Sequence, residues 1–310
     1  ASKPEVAPLP TPKPPYRPAW AVPTQKAQVY RPAFKLAEAG SWTKLSKRSR
    51  SPRDPSLENV LEWLRLEYHG AKTSFIEIAT FLDDHPVWPR RTRLIKRAEL
   101  HLGDDIANQI KLEWFKKHPP TTTIGRLKWI AALGRAGDRQ GTEDAVRDTW
   151  RHARFSQSEQ RRFRKKHSVL LSQADHWRRL DRFLWLGASG PARAMMPLVS
   201  SNRRKLAEAR IRLRAMSGGV DGAIKRVPIK LMSDPGLIYE RLRWRHRKGL
   251  KDEALELLWD IPNDLEFRSI WWKERSRQVR YALDSGRHED AYLLAASHIQ
   301  RSGGTFAEAQ

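Results

Sequence analysis

The chain has 310 residues, enough for one large or two ordinary domains, with 59 Lys+Arg against 35 Asp+Glu and a net charge of +24. It has no cysteine, which excludes a disulfide framework and any thiolate metal site and fits an oxidising compartment. No apolar run approaches the ~18 residues that a membrane-spanning helix needs, and no signal peptide is visible, so the start at Ala1 reads as that of a processed or truncated product.

Residues 1–55 read as a proline-rich basic tail. Pro4, Pro8, Pro10, Pro12, Pro14, Pro15, Pro18 and Pro23 oppose regular structure and predict an extended, polyproline-type spacer. Lys44-Leu-Ser-Lys-Arg-Ser-Arg50 ends it as a basic linker, with a nucleic-acid arm as the sharper alternative. Tyr16, Trp20, Tyr30 and Phe34 are candidates for docking parts of the tail on a folded body.

Helical periodicity dominates from residue 56 onward, and no segment alternates convincingly with period two. Helices are predicted from Ser56 to His69, Thr73 to Leu82, Arg90 to Leu102, Asp104 to His118, Ile124 to Leu133 and Thr142 to Arg154. Ser156 caps a helix over Glu159 to Lys166, and one or two more lie between His167 and Leu186. Arg193 to Ser200, Asn202 to Met216, Leu237 to Lys248, Glu253 to Trp259, Glu266 to Leu283 and Asp290 to Gln300 follow. Within this series one phrase occurs twice: Gly249-Leu-Lys-Asp-Glu-Ala254 and Gly286-Arg-His-Glu-Asp-Ala291, 37 residues apart. A glycine ends one helix in the left-handed conformation, acids fill the first turn of the next, and a small alanine permits close packing. The fold class expected is an all-α superhelix, or solenoid, of antiparallel helix pairs over residues 56–310. Thr305 to Gln310 reads as the start of a further helix, so the array is expected to continue.

Few residues point to chemistry. Asp83-Asp84-His85 precedes Pro86 and reads as a helix end, because adjacent residues there diverge. Asp104-Asp105, Glu143-Asp144 and Glu289-Asp290 are acids at helix starts, and no pair stands out as an acid and a nucleophile. His69, His85 and His118 sit at helix ends, where an imidazolium meets free carbonyls. Gly187-Ala-Ser-Gly190 lacks the lysine and spacing of a phosphate loop. No catalytic, cofactor or metal residue is therefore assigned. Arg210, Arg241 and Arg275 lie on apolar helix faces and predict inter-helix pairing with carboxylates such as Glu208, Glu240 and Glu274. The thirteen tryptophans mostly stand at helical spacing beside leucines, as core residues do. The candidate surface for an anionic ligand is Arg161, Arg162, Arg164, Lys165 and Lys166, with Arg243 and Arg247 on a second helix.

Several stretches taken together resemble the soluble lytic murein transglycosylases of Gram-negative bacteria. They are Phe81-Leu-Asp-Asp-His-Pro-Val-Trp-Pro89 running to Arg97-Ala-Glu-Leu100, and Asp175-His-Trp-Arg-Arg-Leu-Asp-Arg-Phe-Leu-Trp185. Ala207-Glu-Ala-Arg-Ile-Arg-Leu213, Asp234-Pro-Gly-Leu-Ile-Tyr-Glu-Arg-Leu-Arg-Trp244 and Trp271-Trp-Lys-Glu-Arg275 complete the set. The resemblance implies a periplasmic protein whose helical superhelix curves into a ring beside a lysozyme-like domain. In that family one glutamate of the lysozyme-like domain cleaves peptidoglycan without water, leaving a 1,6-anhydro product. Residues 1–310 stop before such a domain and lack its glutamate-serine motif, so no catalytic residue carries over and the chain alone is expected to be inactive.

The expected partner is thus peptidoglycan, whose stem peptides carry free carboxylates, together with cell-wall proteins. Two other readings stand beside it: a helical-repeat adaptor for a protein partner, and a basic solenoid that binds nucleic acid.

Overall fold

The computed structural model describes residues 24–48, 50–51, 53–68, 70–259 and 267–298. Among these every regular element is helical. The chain forms two compact units, residues 1–129 and 130–310.

Helices begin earlier than the sequence predicts. Thr24–Glu38 (α1) and Trp42–Lys47 (α2) occupy part of the stretch read as an extended tail. The prolines thin out after Pro23, leaving only Pro32 inside α1. Tyr30, Ala33, Phe34 and Ala37 then share one helical stripe, and Tyr30, Ala33 and Ala37 are buried with Leu45 of α2 and Leu61 of Pro55–Glu67 (α3). Buried apolar area outweighs the one backbone bond that Pro32 removes. The Tyr30 hydroxyl donates to Glu58 Oε1 at 2.8 Å and accepts from Asp54 N at 2.7 Å. Arg50, read as part of a loose linker, is tied to Glu58 by two bonds of 2.7 and 3.0 Å. Tyr16, Trp20, the prolines up to Pro23, His69 and Thr305 to Gln310 lie outside the described residues.

Phe75–Asp84 (α4), Arg91–His101 (α5) and Asn108–Lys117 (α6) pack Phe75, Ile78, Phe81, Leu94, Trp114 and Phe115 into a second core. The Asp83-Asp84-His85 cluster disperses as expected. Asp83 pairs with Lys117, while the His85 ring lies 4.5 Å from that of Phe81 and 5.0 Å from that of Trp88. His118 departs from its reading as an imidazolium: it is buried against Trp114, and burial lowers its pKa, so the neutral ring is favoured. Glu99 of α5 is fully buried. It accepts from the amide and hydroxyl of both Thr121 and Thr122, the two amide bonds being 2.6 and 2.7 Å. It thereby caps Thr123–Arg135 (α7) from another helix. A Cβ on Gly125 would meet Glu99 Oε2 at 2.2 Å, so this close approach requires glycine.

The second unit contains Arg139–His152 (α8), Gln157–Lys166 (α9), Gln173–Trp185 (α10), Ser189–Met195 (α11), Ser201–Ala215 (α12) and Val220–Lys225 (α13). Pro235–Arg247 (α14), Lys251–Glu256 (α15), Arg268–Asp284 (α16) and His288–Ala296 (α17) complete it. The glycine turn read twice in the sequence recurs. Gly137, Gly187, Gly249 and Gly286 have φ between 72° and 79°. In each, the glycine N–H bonds the carbonyl three residues back and the next N–H bonds the carbonyl five back. This is the Schellman arrangement, and one residue later the next helix begins. Gly40 makes the same turn in the first unit, and Met216 makes its two bonds with a non-glycine residue at φ 53°.

In the second unit the long helices contact one another in sequence, α8 on α10, α10 on α12, α12 on α14 and α14 on α16. Each of the last four also packs on the short helix that follows it, α11, α13, α15 and α17. Of the described tryptophans only Trp259 is exposed, which assigns the rest to packing.

Candidate functional site

α9 begins with a reciprocal cap. Ser156 Oγ accepts from Glu159 N at 3.3 Å and Glu159 Oε2 accepts from Ser156 N at 2.7 Å. These bonds, with the nearby charge of Arg162, hold the Glu159 carboxyl below its usual pKa. Phe163 is the one buried residue of the helix, stacked on Trp150 with ring centres 6.2 Å apart and tilted against Phe155 at 5.0 Å. A helix anchored by one side turns its others to solvent. Arg161, Arg162, Lys165 and Lys166 are exposed, Arg164 is half-buried, and none of the five makes an ion pair among the described residues. Arg164, Lys165 and Lys166 occupy the last turn, where the helix dipole favours cations. The five cations therefore form one basic face, with Glu159 near Arg162.

Arg243 and Arg247 are placed differently, because both have partners within the chain. Arg243 bonds Glu240 Oε2 at 3.3 Å and lies 3.4 Å from Glu274 Oε1. Glu240 also accepts from Arg214 Nε at 2.7 Å, and Glu274 from Arg277 at 2.8 Å. Both carboxylates are buried. The chain of charges ties α12, α14 and α16 together. Burial raises the pKa of Glu240, against the opposing pull of Arg214 and Arg243. Arg247 is exposed, but it donates to the Arg214 carbonyl at 3.2 Å, at the end of α12.

Of the predicted apolar-face arginines, Arg210 and Arg275 are also joints, though with other partners. Arg210 is 1% exposed and pairs with Asp181 of α10 and with Asp234, the N-cap of α14, at 3.5 Å. A Cβ on Gly236 would stand 2.0 Å from its Cζ, so the Asp234-Pro-Gly236 stretch both caps a helix and seats a guanidinium. Arg275 bonds the Leu294 carbonyl at 3.0 Å and the Ser297 hydroxyl rather than a carboxylate. Arg241 is half-buried and lines a cavity with Trp244 and Arg245. Glu208 pairs instead with Arg212 and Arg193.

One arginine had no place in the sequence reading. Arg179 of α10 is 1% exposed, with its guanidinium 4.8 Å from the Trp150 ring centre, 4.9 Å from Phe183 and 5.4 Å from Phe155. Nη1 donates to the carbonyls of Trp150 and Ala153, while Nε and Nη2 both donate to Gln160 Oε1, at 3.1 and 2.9 Å. No carboxylate is among these partners. Burial, with Arg182 nearby, lowers its pKa to about 10. Arg179 lines a cavity of about 490 Å³ whose walls also include Arg154, Arg182, Gln160, Phe155 and Phe183 and no acidic residue. The available signal was Phe183, four residues on and therefore on the same helical face.

No family model, curated protein or solved structure matches this chain. No group of three or more His, Cys, Asp or Glu able to hold a metal occurs among the described residues, and no helix there is long and apolar enough to cross a membrane.

Proposed function

We propose that this chain is the non-catalytic superhelical scaffold of a periplasmic lytic transglycosylase, positioning peptidoglycan for non-hydrolytic cleavage by a lysozyme-like domain outside these residues. What supports the proposal is the succession of packed long and short helices in the second unit, together with the basic face of α9. Stacked hairpins give a long, stiff surface rather than a compact reaction centre. Five clustered cations attract an acidic polymer at long range, and stem-peptide carboxylates would supply that charge. The residue stretches quoted above give the reading its family.

The purified chain is expected to pellet with isolated sacculi at low salt and to be released as salt rises, because exposed charges are screened within a Debye length of ~10 Å at 0.1 M. It is expected to release no 1,6-anhydro muropeptides. Absence of pelleting sinks the scaffold reading, and release of anhydro products by the chain alone sinks its non-catalytic part. Equal competition by a neutral polysaccharide would argue against the electrostatic basis. Complete displacement by a polynucleotide at trace concentration would favour a nucleic-acid solenoid.

A further inference from the structure

Buried guanidinium groups are ordinarily retained beside a counter-charge. Arg210 follows that rule with Asp181 and Asp234. The cavity near Arg241, of about 530 Å³, contains Asp221 and Glu253 in its own walls. Arg179 departs from it. Four of its five N–H hydrogens find acceptors, one from Nε, two from Nη1 and one from Nη2, and every acceptor is neutral.

The geometry of Gln160 explains what the site is shaped to take. Nε and Nη2 form the edge of the guanidinium that matches a carboxylate with two parallel bonds. In this structure a single amide oxygen, Gln160 Oε1, accepts from both. It stands where one oxygen of a carboxylate would stand, without its charge. Gln160 is half-buried, lines the cavity, and among the described residues its amide nitrogen is held by the Met195 sulfur at 3.5 Å, a weak partner that releases it easily. Around it Phe155, Phe183, Leu186 and Pro191 offer apolar wall, while Arg154 and Arg182 add cationic groups.

We propose that this cavity is a binding site for an organic carboxylate, either a small acid or the C-terminal carboxylate of a short peptide, whose carboxyl group replaces Gln160 Oε1 on the Nε–Nη2 edge of Arg179. The ligand body lies between Phe155 and Phe183. The cavity volume falls within the range of ordinary small-molecule sites, about 300–1,000 Å³. The chemistry holds whether or not the chain binds sacculi.

The test is calorimetric titration of the full chain with phenylacetate and with N-acetyl-alanyl-alanine, each against its uncharged amide, and with inorganic phosphate. At least one acid is expected to bind about tenfold or more tightly than its amide, the advantage of a charge-assisted bidentate pair over a neutral one. Binding of phenylacetate alone identifies a small-acid site, and binding of the dipeptide acid identifies a chain-end site. Gln160→Glu places a carboxylate of the chain itself on the guanidinium. It is expected to raise the melting temperature while weakening acid binding about tenfold or more. Gln160→Ala, which frees the edge, is expected to keep or strengthen acid binding. The proposal is overturned if acids and amides bind alike, if neither acid binds, if phosphate binds and the acids do not, or if Gln160→Glu binds the acids as the parent chain does.

Discussion

The basic face of α9 and the arginines of α14 contain the same residue types on the same kind of element, yet they do opposite work. Arg161, Arg162, Arg164, Lys165 and Lys166 make no ion pair among the described residues. Arg243 shares Glu240 with Arg214 and Glu274 with Arg277, across three successive long helices. What separates the two regions is the carboxylate content of neighbouring helices, which local sequence does not display. Cations that meet a buried acid become joints, and those that meet only water remain available to a partner.

The largest effect expected from this contrast is on stability. Glu240→Gln leaves Arg214 and Arg243 half-buried with a neutral acceptor, and should cost about 3 kcal/mol in chemical denaturation, the scale for removing one partner of a buried pair. A loss under about 0.5 kcal/mol, the scale of ordinary surface changes, would show that the network is not a joint. Arg243→Gln should cost about 1 kcal/mol, because Glu240 keeps Arg214 and Glu274 keeps Arg277. That variant should bind sacculi like the parent chain.

Acid should soften both units. Burial lowers the pKa of His101, His118, His167, His176 and His246 below the unfolded value of 6.5. Between the folded and unfolded values the unfolded chain binds more protons, so stability rises with pH through this window and falls on acidification. The melting temperature should therefore drop by a few degrees from about pH 7.5 to about pH 5.5, a range spanning the ordinary histidine pKa. Because desolvation causes most of the shift, the drop should persist at high salt. An unchanged melting temperature over that range contradicts the desolvation of these imidazoles.

Helix positions were largely legible because their signals are local. The Ser156 cap, the proline after His85 and the left-handed glycines at 249 and 286 each act within one turn of their own position. Two local readings failed where tertiary contact overrode propensity. Residues 24–48 looked like a continuing proline spacer, but the stripe from Tyr30 to Ala37 finds Leu45 and Leu61. Val220–Lys225 had no counterpart among the predicted helices, and Gly218, Gly219 and Gly222 disfavour helix there. Val220 and Ala223 nevertheless pack on Leu206, Ala209 and Leu213. The site was less legible than the fold for a related reason. A buried arginine is visible from its apolar spacing, but its partner is set by a helix tens of residues away, as with Arg210 and Asp181 or Arg179 and Gln160.

The smallest stability effect goes with the most direct functional test. Replacing Arg161, Arg162, Arg164, Lys165 and Lys166 together by glutamine should change folding stability by no more than about 0.5 kcal/mol per site, the scale of surface changes away from buried networks. Co-sedimentation of this variant and the parent chain with isolated sacculi at low salt measures whether the basic face grips the wall. The account predicts that the folded variant stays largely in the supernatant while the parent pellets. Equal pelleting of the two would contradict it.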